Sequence, residues 1–147
     1  MLRLVLDTNI WLDWLMFDDP AVAPVKAAVA AGRAEIVMDG AVEAELVRVL
    51  AYPFGTRTLD EGAQAALISQ CRRIARGDEG AAVKDEGSVL PACSDPDDQK
   101  FLELALACGA AFLVTRDGAL LGLARHKARP LPFRIVTPQQ LAVVLCD

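Results

Sequence analysis

LRLVLDTNI, residues 2–10, decides the fold. Leu2, Leu4, Val5 and Leu6 form a short apolar run of strand-forming residues, and Asp7, Thr8 and Asn9 end it with side chains suited to turns and caps. A strand apolar on both faces belongs in the middle of a parallel sheet with helices on each side. Asp7 then leaves the strand at the carboxyl edge, where open α/β sheets place their ligands. Taken alone, Asp7 reads equally well as the cap of the next helix.

Outward from that strand, helices and strands alternate. Ile10, Trp11, Trp14 and Leu15 recur at helical spacing, which makes both tryptophans core or interface residues. Residues 20–31 read as a helix stopped by Gly32, and Glu35 to Met38 as a second strand that ends at Asp39 and Gly40. Residues 41–53 form a helix with an apolar arc of Val42, Leu46, Val49 and Leu50, closed by Pro53. At ~100° per residue Glu45 borders that arc. From there it either points at the sheet edge or pairs with Arg48 at i+3, while Glu43 borders the other side. A helix from Gly62 to Arg76 follows, and the glycine-rich polar stretch 77–88 reads as a mobile connection within one domain.

CSDPDDQKFLELALACG, residues 93–109, is the second informative stretch. Asp95 is a good N-cap, Pro96 fits the first helical position, and Asp97 and Asp98 fall in the first turn, where the helix dipole favours anions. Capping accounts for all three, but the helix faces separate them. Asp98 opens the stripe of Phe101, Leu102 and Ala105, whereas Gln99, Lys100 and Glu103 mark the solvent side. A carboxylate at the head of a buried stripe aims inward, at the edge that carries Asp7. Ala110 to Thr115 is another buried strand, and Asp117 after it repeats the position of Asp7. A short helix ALLGLAR, a last strand FRIV (133–136) and a terminal helix opened by Pro138 complete a parallel, doubly wound α/β sheet over residues 1–147, one domain by size.

Composition narrows the chemistry. With 54% hydrophobic residues, 147 residues can bury a real core. The early apolar stretch is interrupted by Asp7 and Asp13 and has no basic lead-in, so no secretory signal is expected. Nor does any window reach the ~18 uncharged apolar residues of a membrane span. A cytoplasmic protein is expected. The four cysteines lack close pairing and His126 is the sole histidine, which argues against a structural zinc site and against triads built on imidazole. The four cysteines are expected as reduced, mostly buried thiols. The net charge of −5 discourages a polyanionic partner. Its distribution does not: acids crowd residues 78–103, whereas Arg125, Lys127, Arg129 and Arg134 face no acid between Gly118 and Cys146. A basic rim beside an acidic pocket suits an enzyme acting on phosphates; a solvated charged loop is the alternative.

Four carboxylates thus share one address: Asp7, Glu45, Asp98 and Asp117. Two like charges ~4 Å apart repel by roughly 4 kcal/mol at an effective dielectric of about 20, so a structure needs a reason to group them. Hard divalent ions supply one. Oxygen ligands without histidine or cysteine favour magnesium or manganese, and such ions can activate water and stabilise the leaving oxygen of a phosphodiester.

LVLDTNIWL, the Glu45–Leu50 block, CSDPDDQKFLELA and LVTRDGALL follow one another in the order and approximate spacing of PIN-domain proteins, and the chain most resembles toxin components of toxin-antitoxin systems. The resemblance spans nearly the whole chain. It implies a PIN-like doubly wound parallel sheet flanked by helices on both faces, and a metal-dependent endoribonuclease using Mg2+ or Mn2+. Its acids fall on Asp7, Glu45, Asp98 and Asp117, supported by Thr8, Asn9 and Thr115. It also implies an RNA substrate, a cognate antitoxin protein and a homodimer. Arg116, beside Asp117, joins Arg125, Lys127 and Arg129 as the candidate RNA contacts. Asp39 departs from the pattern, standing where relatives often carry serine, which shifts local hydrogen bonding. A catalytically silent PIN fold serving as a binding or scaffold protein is the competing reading. A phosphatase of the haloacid dehalogenase type needs a second aspartate where this chain has Asn9.

Overall fold

Five short strands, β1 (Leu2–Leu6), β2 (Ala34–Met38), β3 (Ala75–Gly77), β4 (Phe112–Val114) and β5 (Arg134–Val136), make one sheet in which every pairing is parallel. The computed structural model describes residues 1–54, 57–77, 90–124 and 131–146. The strand order is β3-β2-β1-β4-β5, so β1 lies in the middle, as its apolar run requires. Successive side chains of a strand point to opposite faces, and Leu4, Val5 and Leu6 are all fully buried. Both faces of the sheet are therefore covered.

The cover comes from seven α-helices among the described residues: α1 (Thr8–Leu12), α2 (Ala23–Ala30), α3 (Gly40–Leu50), α4 (Glu61–Ile74), α5 (Gln99–Cys108), α6 (Gly118–Leu123) and α7 (Pro138–Leu145). α2 packs on β2 and against α7, while α5 packs on β1 and β4 and against α3. Local chemistry sets the helix starts. Asp7, Asp39, Asp60 and Asp117 each cap a helix by accepting a backbone N–H, and Thr137 forms a reciprocal capping box with Gln140. No helix among the described residues is long and apolar enough to cross a membrane.

Two elements differ from what the sequence pattern suggests. The helix expected through Arg76 stops at Ile74, and Ala75 to Gly77 become edge strand β3, paired with Ile36 to Met38. Ala-Arg-Gly has no alternation to announce a strand; its hydrogen bonds come from β2. The second difference follows α1, where Asp13–Phe17 form a π-helix that ends at Asp18 in a left-handed conformation, φ 44°. Asp13 itself is buried, 9% exposed, at i+3 from the wholly buried Ile10. Residues 78–88, expected as a mobile connection, lie outside the described residues.

Gly109 ends α5 at φ 66° and lets Ala110 bond back to Ala105 at 3.0 Å, which turns the chain into β4. A Cβ there would meet no atom within 4 Å, so substitution would strain the backbone alone. Gly109→Ala is expected to lower stability by about 1 kcal/mol, read as a lower urea midpoint with an unchanged slope.

Candidate functional site

At the carboxyl edge of the sheet, adjacent strands β1 and β4 deliver Asp7 and Thr115 side by side, because Leu6 is in register with Val114. The Asp7 amide donates to the Val114 carbonyl at 3.1 Å, continuing the ladder one residue past each strand. The Thr115 hydroxyl, fully buried, donates to Asp7 Oδ2 and accepts the Asp117 amide at 2.9 Å. One hydroxyl thereby joins the side chain of the first acid to the backbone of the last. Asp7 Oδ1 accepts the Ile10 amide at 3.0 Å, and Asp117 Oδ1 accepts the Ala119 amide at 2.9 Å. Both residues are caps, and both lie at the candidate edge; capping and a place at that edge are one geometry.

Asp98 arrives from another direction. Asp95 caps a 3-10 turn, Pro96–Asp98, that leads into α5. Phe101, Leu102 and Ala105 are buried as the helical stripe predicts. Asp98 heads that stripe, and its carboxyl group is hydrogen-bonded to that of Asp117 and within electrostatic reach of Asp7 and Asp95. Burial, the bond to Asp117 and the surrounding negative charge push Asp98 up to about 7, so it keeps its proton well above the ordinary carboxylate range. Asp117 moves down, because it accepts that proton's hydrogen bond and the Ala119 amide. Asp7 is raised by desolvation, against the donors Thr115 and Ile10. Asp98 Oδ2 is buried without any hydrogen-bond partner.

Glu45 reaches the same edge from α3, where its Oε2 accepts the Thr8 hydroxyl and its Oε1 accepts the Lys100 ammonium at 2.7 Å. The alternative pairing with Arg48 also occurs, at 3.7 Å. Glu43, on the other border, is paired with Arg72. Gln99 and Lys100 are not on an open solvent face. Gln99 bonds the Cys93 amide and the Pro91 carbonyl, pinning the segment that leads to Asp98. The Lys100 side chain is only 19% exposed. The sequence pattern misses it because a four-carbon stem carries the ammonium away from the face its Cα occupies.

The remaining candidates separate. Asn9 is exposed at the start of α1, with its amide directed at Asp7. Arg116 is exposed but is paired with Asp13, and lies 3.4 Å from Asp19. Its charge is already matched by two carboxylates. Asp13, raised by burial and opposed by Arg116, is the acid that the sequence pattern overlooked, although it lies at i+3 from the buried Ile10. Asp39 caps α3 through the Val42 amide at 2.9 Å. Trp11 is wholly buried and so closed to base stacking, while Trp14 is half-buried beside it, ring centroids 6.0 Å apart. Arg125, Lys127 and Arg129 lie outside the described residues. The cysteines are all free thiols, three of them buried; burial pushes Cys71 up to about 12 and raises Cys93 beside the acids, which leaves neither a ready nucleophile.

Among the described residues, no three acidic, histidine or cysteine side chains already enclose a point where an ion would sit. Asp98 and Asp117 instead face each other carboxyl to carboxyl, with Asp98 raised and Asp117 lowered by the contact. The donors nevertheless fit a hard divalent cation: all are carboxylate oxygens, and one of them, Asp98 Oδ2, is buried with nothing bonded to it. A proton between two acids is the minimal cation for such a cluster.

Proton release there should be visible in stability. Asp98 is raised in the folded chain relative to its unfolded value of 3.8, so its stabilising share is complete below about pH 4 and is lost as pH rises through about 7. The metal-free protein is expected to melt lower at about pH 7.5 than at about pH 5.5, and Asp98→Asn to flatten that difference without lowering the melting point at the higher pH. Parallel melting curves of the two proteins in chelator check this; equal slopes would remove the shared proton.

A family model described as PIN domain matches residues 3–119 of the chain. No curated protein matches it.

Proposed function

The chain belongs to the PIN-domain family, a family of nucleases, and on that footing we propose that it is a metal-dependent endoribonuclease, the toxin component of a toxin-antitoxin system. The observation that supports this best is the buried, unpartnered Asp98 Oδ2 beside Asp117 and Asp7. A chain that used Asp98 only as a helix cap would have no reason to hold three acids against one another. The proposal includes a cognate antitoxin, a homodimer and a cytoplasmic location, each following from the toxin reading.

Magnesium or manganese, when bound, would supply Lewis-acid stabilisation of the scissile phosphate and a more acidic water. Asp7, Asp98 and Asp117 would hold it, with Glu45 the fourth acid at that edge. The chain's own part is orientation. Thr115 and the Ile10 amide fix both oxygens of Asp7 through neutral donors, which set direction and leave the negative charge in place. The Ala119 amide does the same for one oxygen of Asp117. Asp98 would hold a cation only in its ionised form, so a bound ion would displace that proton. RNA reaches this edge past the ends of the strands, where helix starts present their positive dipole ends to phosphate.

Cleavage of single-stranded or looped RNA is expected with magnesium or manganese, and its abolition by excess EDTA. Asp7→Asn keeps size and cap while removing charge, and should cut the rate by on the order of a hundredfold or more with an unchanged circular-dichroism spectrum. RNA that is bound but never cut, with no response to either ion, would favour the silent scaffold instead.

A further inference from the structure

The acids at the sheet edge are of two kinds. Asp7 is held by a hydroxyl and an amide, and Asp98 Oδ2 by nothing. Glu45 Oε1 instead faces two cations, the Lys100 ammonium at 2.7 Å and the Arg48 guanidinium at 3.7 Å, while its Oε2 accepts the Thr8 hydroxyl. Neutral donors leave a carboxylate's charge available to a further cation. An ammonium in contact neutralises it and repels any cation that would share the oxygen.

The pair is also sheltered. The Lys100 and Glu45 side chains are 19% and 12% exposed, so water competes weakly for either partner. Lys100 starts two residues after Asp98 on the first turn of α5, and Glu45 comes from α3, which packs on α5. The ammonium is therefore carried by the same helix start that delivers Asp98. A second divalent ion bound through Glu45 at about 2.0–2.1 Å would have to take Oε2, which accepts the Thr8 hydroxyl, and would then share one carboxylate with the Lys100 ammonium on Oε1.

Resting on the proposal that this edge binds a divalent ion, we infer that Lys100 stands in for a second metal: its ammonium occupies Glu45, so that Asp7, Asp98 and Asp117 take one ion per chain and Glu45 takes none. Lys100 is in these terms a positioning residue, acting through Glu45. Its ammonium is tethered to the chain, so one of the two positive centres at the site is independent of the metal supply.

Manganese binding to the RNA-free full chain, followed by calorimetry and by electron paramagnetic resonance, tests this without any catalytic readout. The parent protein should bind one Mn2+ per chain, and Lys100→Arg should do the same. Lys100→Met should bind two, with the signal of a spin-coupled pair. The charge-neutral double change Lys100→Met with Glu45→Gln should return to one ion, at an affinity within about threefold of the parent. Two ions in the parent, a single ion in a folded Lys100→Met, or a loss of about tenfold or more in affinity in the double variant would each overturn the inference. If Lys100→Met does not fold, the parent count and the double variant still decide. Failure of the underlying site looks different: the parent and Asp98→Asn would then both bind no ion specifically.

Discussion

The hydroxyl of Thr115 donates to Asp7 from one side and accepts the amide of Asp117 from the other. It sits where β1 and β4 end together, and that coincidence depends on the parallel register of Leu6 with Val114. Without this link, two carboxylates at neighbouring strand ends would repel and swing apart into solvent. With it, both are fixed before any ligand arrives. A threonine suits the role because its hydroxyl can give and accept at once, while its methyl group stays within the buried sheet.

Charge at this edge is graded by partner. Asp98 and Asp117 share a proton, Asp7 is held by uncharged donors, and Glu45 and Asp13 are each matched by a cation from a different element. The grading makes a negative edge tolerable in a folded chain, since Lys100 and Arg116 offset Glu45 and Asp13 while Asp98 stays protonated beside Asp117. It also separates acids held by uncharged donors from acids paired with a cation. Cys93 belongs to neither group; its thiol, raised by burial and by nearby negative charge, remains protonated.

Most of the architecture is legible in the sequence because it rests on strong local signals. The uninterrupted apolar run at Leu4 to Leu6, the capping acids and the helical stripe at Phe101, Leu102 and Ala105 each correspond to an observed element. Asp7, Asp98 and Asp117 are legible for the same reason, since each ends or opens such an element. What the pattern hides arises from tertiary geometry. β3 exists because β2 offers an open edge, not because Ala-Arg-Gly favours a strand. Asp13 is paired with Arg116 from far along the chain, a contact that no local pattern carries. Lys100 lies on the wet side of an isolated helix but next to Glu45 once α3 packs on α5.

The central place of β1 has a consequence for a chain emerging from a ribosome. Leu4 pairs with Ile36 on one side and with Phe112 on the other. The first neighbour is available early, but the second closes a loop of more than a hundred residues, a contact that is entropically expensive and slow to form. Asp98 and Asp117 are translated beside that late strand. A nascent chain therefore carries Asp7 for most of its synthesis with neither of those acids beside it. The cluster is completed only after Asp117 has been made, so the edge cannot assemble before β4 has joined β1.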